Sequence, residues 1–114
     1  MTMYKRGDVV VVEFIFSEGA RTKKRPAVVL SSDEYHQGRQ EVLLAAVTSN
    51  VLRVLVGDTK IEKWAEAGLK YPSIVTGIVQ TMKADMIQKK LGLLADRDFQ
   101  NVENNLQRAL GFKK

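Results

Sequence analysis

The sequence predicts a mainly β (α+β) domain, a small barrel of short strands followed by one amphipathic helix. Three observations carry this reading. β-Branched and aromatic runs recur at 9–16, 26–31, 41–48 and 73–81, each bounded by turn-forming residues. A sustained helical period occurs at the end, where Phe99, Val102, Leu106, Ala109 and Leu110 share one face. Strands and helices do not alternate as βαβ units, which disfavours a doubly wound parallel sheet. With 114 residues the chain can build one core and not two, so 1–114 reads as a single domain.

The elements follow in order. Arg6-Gly7-Asp8 reads as a turn leading into a strand from Val9 to Phe16, in which Glu13 is the only charge. Ser17 to Lys24 is polar and contains Gly19, so it reads as a long hairpin loop before a strand from Pro26 to Ser31. Ser32-Asp33-Glu34 can cap a helical turn to about His36, with Gly38 as its stop, and places His36 on the surface. Glu41 to Thr48 is a strand broken by Ser49-Asn50, and Val51 to Val56 reads as another before Gly57-Asp58. A short helix is expected over Lys60 to Ala67 around Trp64. Ser73 to Thr81 and Lys89 to Leu94 complete the strands, Gly92 marking a bend or a close backbone approach. Asp96 is the expected N-cap of the final helix, Asp98 puts negative charge in its first turn, and Gly111 ends it. That helix is expected to close the barrel.

Composition narrows the chemistry. There is no cysteine and only one histidine, His36, so disulfides, thiolate catalysis, cysteine-zinc sites and paired-histidine catalysis are excluded. No cofactor is expected. No apolar stretch approaches the roughly 20 residues of a membrane helix, and the first residues lack a signal-peptide core, which predicts a cytoplasmic protein. A net charge of +5 favours an anionic partner, nucleic acid or acidic protein, and serves solubility equally well. The cations are concentrated in Arg21, Lys23, Lys24 and Arg25, a basic lip running into the apolar segment Pro26-Ala27-Val28-Val29-Leu30.

Four strings in order resemble one family: Arg6-Gly7-Asp8-Val9, Lys24-Arg25-Pro26-Ala27-Val28-Val29-Leu30-Ser31, Val47-Thr48-Ser49, and Tyr71-Pro72-Ser73-Ile74-Val75. Together with the C-terminal helix they are similar to the MazF/PemK toxins of type II toxin–antitoxin systems. The resemblance implies an SH3-like barrel of the MazF/CcdB type, a homodimer and an acidic cognate antitoxin. It also implies a metal-independent endoribonuclease (mRNA interferase) that cuts single-stranded RNA through a 2′,3′-cyclic phosphate. By motif, Arg25 and Thr48 match the family's catalytic arginine and threonine.

Seen alone, Arg25 is a solvated loop cation and Thr48 a β-branched residue ending a strand. As a pair they suit phosphoryl transfer: the arginine fork can hold two phosphate oxygens and stays charged, and a hydroxyl can donate to the phosphate or orient the attacking 2′-hydroxyl. Arg21, Lys23, Lys24 and Ser49 are candidate RNA contacts, and Glu18 receives no role. Trp64, Tyr71 and Phe99 read as packing residues. Many relatives carry a stretch resembling Asp-Gln-x-Arg-Thr-Leu-Asp where this chain has Gly77-Ile78-Val79-Gln80-Thr81-Met82-Lys83. That departure leaves a second reading, a non-catalytic interaction protein on the same barrel, either an RNA-binding module or a CcdB-like topoisomerase poison.

Overall fold

The computed structural model of the protein describes residues 3–15 and 22–112. Six strands, β1 (Asp8–Ile15), β2 (Thr22–Val29), β3 (Glu41–Thr48), β4 (Thr59–Lys60), β5 (Ile74–Lys83) and β6 (Ile87–Leu93), form one antiparallel sheet. Helix α1 (Asp33–Arg39) links β2 to β3, and α2 (Asp96–Leu110) ends the fold. The strand order is β4-β5-β3-β2-β1-β6, so the terminal strands do not hydrogen-bond to each other. The fold class stands, with an open sheet in place of a hydrogen-bonded barrel. At the open seam the turn after β4 meets β6 backbone to backbone. A Cβ on Gly92 would lie 2.5 Å from the Ala67 carbonyl oxygen, and one on Gly68 would strike the Leu91 carbonyl. The close approach expected at Gly92 is therefore a packing seam that only glycine permits.

The unbroken valine runs are explained by burial on both faces. Alternate residues of a strand point opposite ways, so Val9, Val28, Ala45, Val47 and Val75 pack beneath α2 and the turn after β4. Val10, Val12, Ala27, Val29, Val42 and Leu44 pack with Ile87 on the other side. Each fully buried valine stabilises the fold by about 1.5–3 kcal/mol. Helix α2 covers the first face with Phe99, Val102 and Leu106, whereas Leu110 is exposed.

Several boundaries moved for identifiable reasons. Strand β2 begins at Thr22, so Lys23, Lys24 and Arg25 lie in a strand and not on a loop. Their backbones pair with β1, Glu13 standing opposite Lys24, and the pairing accommodates cations because these lysines point to solvent. Residues 51–56 form no strand; Leu52, Val54, Leu55 and Val56 are exposed, and local side-chain bonds replace a ladder. The segment 61–70 is a series of turns and not a helix. Asp98 sits in the first turn of α2 as expected, but its buried carboxylate accepts hydrogen bonds from the Glu62 and Lys63 backbone N–H groups at 3.1 and 2.9 Å. It thus ties helix to turn. The N-cap of α2 is Ala95, with Asp96 the first helical residue. His36 is buried, not on the surface, its Nε2 bonded to the hydroxyl of Ser31. Tyr71 is exposed, while Trp64 and Phe99 pack on the core.

Candidate functional site

The ladder between β2 and β3 stops at the pair Ala27 and Ala46. Beyond it the two strands keep their other neighbours, β2 staying with β1 and β3 with β5. Pro26 stands at this fork, where a residue without an N–H is tolerated because one neighbour has dropped away. Continued by two residues, the register would run Arg25 alongside Thr48. A cleft of about 580 Å³ opens there, lined by both residues together with Asn50, Arg53, Asp58, Thr76, Gly77, Ile78 and Gln80. Its volume lies within the roughly 300–1,000 Å³ typical of ligand clefts.

Each wall is braced. The Thr48 hydroxyl oxygen accepts the Asn50 backbone N–H at 3.1 Å, which leaves its own proton to be donated. The Asn50 side-chain oxygen accepts Leu52 N–H at 3.3 Å. At the far end of the same loop Asp58 accepts Leu55 N–H and Gly77 N–H, both at 2.9 Å. Asn105 of α2 donates to the Asp58 carbonyl and the Thr59 hydroxyl, at 3.2 and 2.7 Å. Across the cleft β5 bulges: Ala45 pairs with Val79 but Val47 with Val75, so Thr76, Gly77 and Ile78 oppose Ala46 alone. The Thr76 hydroxyl holds the bulge by donating to the Ala46 carbonyl at 2.7 Å. A Cβ on Gly77 would meet the Gly57 Cα at 3.3 Å, so loop and bulge pack at their backbones.

The structure therefore brings Arg25 and Thr48 together. Arg25 is half-buried on β2, a firmer mounting than the exposed loop end expected from sequence. Lys23, Lys24 and Ser49 are exposed and do not line the cleft, and Arg21 and Glu18 lie outside the described residues. Arg53 is not legible as a cleft residue because residues 51–56 look like a strand, and Asn50 and Asp58 read only as breaks around it. The flanking Asn50 and Gly57-Asp58 were the available loop signal. Among the described residues no group of three or more His, Asp or Glu side chains is arranged to hold a metal ion.

A mainly antiparallel domain in which two parted strands carry Arg25 and Thr48, and the adjoining loop Arg53, to the lining of one cleft belongs to the class of small β proteins with a cleft at the fork of the sheet. Comparison supplies the family. The chain belongs to the PemK-like, MazF-like toxins of type II toxin–antitoxin systems, whose family model matches residues 5–110. It is 25% identical over 111 residues to an endoribonuclease MazF of Staphylococcus saprophyticus, covering 96% of this chain and 92% of the relative. Among solved structures, a MazE–MazF complex from Deinococcus radiodurans superposes with a TM-score of 0.78 at 17% identity, covering 98% of this chain and all of that one (100%). A mycobacterial endoribonuclease in complex with its cognate antitoxin gives 0.76 at 15% identity, covering 97% and 98%. Toxin MazF-mt6 of Mycobacterium tuberculosis gives 0.73 at 20% identity, covering 92% and 99%. At these identities the structures speak for the fold.

Proposed function

We propose that this toxin-family protein is an endoribonuclease that cuts single-stranded RNA in the cytoplasm, without a metal ion, at the cleft between β2 and β3. The observation that carries the reading is the meeting of Arg25 and Thr48 in one braced opening. In the reaction a ribose 2′-oxygen loses its proton and bonds to the adjacent phosphorus, while the bond from phosphorus to the 5′-oxygen breaks. The 5′-oxygen takes up a proton, leaving a 2′,3′-cyclic phosphate and a 5′-hydroxyl. Negative charge grows on the non-bridging oxygens, and Arg25, held on a strand, is aimed at that charge. Its role is electrostatic, since a guanidinium does not give up its proton near neutral pH. The Thr48 hydroxyl, with its oxygen already accepting from Asn50 N–H, donates toward the same phosphate or orients the 2′-hydroxyl. No strong general base lies beside it in the sequence motif, which fits slow turnover.

The partners follow the same reading. One similar structure is an endoribonuclease in complex with its cognate antitoxin and another a MazE–MazF complex, and the net charge of +5 suits an acidic antitoxin segment. A second copy of the chain is a further proposed partner, as the family resemblance implies. The uncharged lining from β5 favours an alternative in which the cleft binds RNA without cutting it. Incubating the protein with long single-stranded RNA in EDTA, beside Arg25→Ala, and mapping product ends decides between them. Discrete cuts with cyclic-phosphate ends that vanish in the variant support the nuclease. Intact RNA across several sequences overturns it.

A further inference from the structure

We infer that Arg53 is a second phosphate-binding residue, gripping the RNA backbone beside the reacting phosphate while Arg25 acts on the reacting one. The inference rests on the nuclease reading for the identity of the reacting phosphate and on the following observations for the grip. Arg53 lies midway along the 49–58 loop and lines the cleft that Arg25 and Thr48 line. None of the ion pairs among the described residues involves it; these are Arg6 with Glu103, Arg39 with Glu41, and Lys90 with Asp8. The one carboxylate lining the cleft, Asp58, already has one oxygen on Leu55 N–H and the other on Gly77 N–H. Both its oxygens thus hold the loop, and neither is paired with Arg53.

The surroundings strengthen the case. Leu55, Val56 and Ile78 share the cleft with Arg53, so an anion entering there would displace water and strengthen its interaction with the guanidinium. Among the described lining residues, Arg25 and Arg53 are the only cations, because β5 contributes Thr76, Gly77, Ile78 and Gln80. Leu52 and Val54, which flank Arg53, are 94% and 52% exposed. The mountings of the two arginines differ as well. Arg25 is fixed in a ladder, while Arg53 sits on a loop held at its ends by the Thr48–Asn50 and Asp58 bonds. A grip of that kind acts on ground and transition states alike, so it should appear in KM and not in kcat.

The test uses the whole chain and two substrates. A single-stranded oligonucleotide carrying 2′-O-methyl groups throughout cannot attack its own phosphates, so it reports binding alone. Binding would be measured over a series of KCl concentrations for the unmodified protein, Arg53→Ala and Arg53→Lys. Losing one phosphate contact should flatten the plot of log affinity against log salt by about 0.7 in Arg53→Ala. Arg53→Lys should keep the slope, which a purely structural role would not predict. On unmodified RNA, Arg53→Ala should raise KM by about tenfold with kcat changed by less than about threefold.

An unchanged slope and KM in Arg53→Ala would overturn the assignment, and so would a loss confined to kcat. The outcomes also separate the two readings. RNA left intact, with an oligonucleotide slope that still depends on Arg53, removes the nuclease and keeps the grip. Cleavage with a slope indifferent to Arg53 does the reverse.

Discussion

The two ends of β3 carry clefts of nearly equal size that differ in everything that bears on chemistry. At the Thr48 end the volume is about 580 Å³. At the Glu41 end about 610 Å³ is lined by Tyr4, His36, Gln37, Gln40, Val42, Asp85 and Ile87 among others. The first holds two arginines and a hydroxyl whose oxygen is fixed by a neighbouring N–H. Among the described residues the second is lined by no arginine or lysine, and its histidine is turned toward the buried Ser31, whose oxygen also accepts Leu43 N–H at 2.9 Å. Size does not mark the site. What distinguishes the proposed site is the place where a ladder parts, so that Arg25 and Thr48, mounted on strands, line an opening.

The comparison can be broken most directly at Arg25. Arg25→Ala should lower the cleavage rate by about 10²–10³-fold, the usual cost of deleting one donor aimed at developing charge. A melting temperature within a few degrees of the parent would show that the loss is chemical. A variant that cuts normally would place the chemistry elsewhere. Thr48→Val keeps the β-branched shape and removes the hydroxyl, and a fall of about 10–100-fold is expected for one hydrogen bond to a charged group. Single-turnover cleavage at saturating RNA measures it.

Asp58→Ala probes the bracing. It leaves the N–H groups of Leu55 and Gly77 without their acceptor, so stability should fall by about 1–2 kcal/mol in a urea titration. Cleavage should fall with it, by about tenfold, as the loop loosens around Arg53. The smallest effect is expected in the other cleft. Asp85→Asn should change cleavage by less than about twofold, since surface substitutions away from a site rarely matter. A large loss there would make the Glu41 end part of the RNA path.

Much of this arrangement was readable from the residues. Strand β3 has the bounds expected from its run of Val42, Leu43, Leu44 and Val47, and the period of Phe99, Val102 and Leu106 located the core face of α2. Arg25 and Thr48 were found as members of an ordered set of strings. The failures share a cause: local pattern does not say which side chains have partners. Lys23-Lys24-Arg25 looked like loop because charges are rare in strands, yet a strand beside β1 can point lysines at solvent. Residues 51–56 looked like strand because they are apolar, yet Asn50 and Asp58 bind the backbone locally and leave no ladder to join. His36 looked exposed because its hydrogen-bond partner, Ser31, becomes a neighbour only when α1 turns back on β2.

The mounting of the two cleft arginines has an evolutionary consequence. Residues 51–56 contribute no pair to the sheet, so their sequence can drift without unravelling a strand. Arg25 has no such freedom, because its backbone is stitched to Val12. On the proposed reading, the hardware for breaking a bond is welded to the frame, while the hand that takes hold of the strand is exchangeable. If Arg53 grips the strand as proposed, a lineage built on this frame would change its target repertoire by rewriting a short surface segment, and a bench experiment that transplants that segment would do the same.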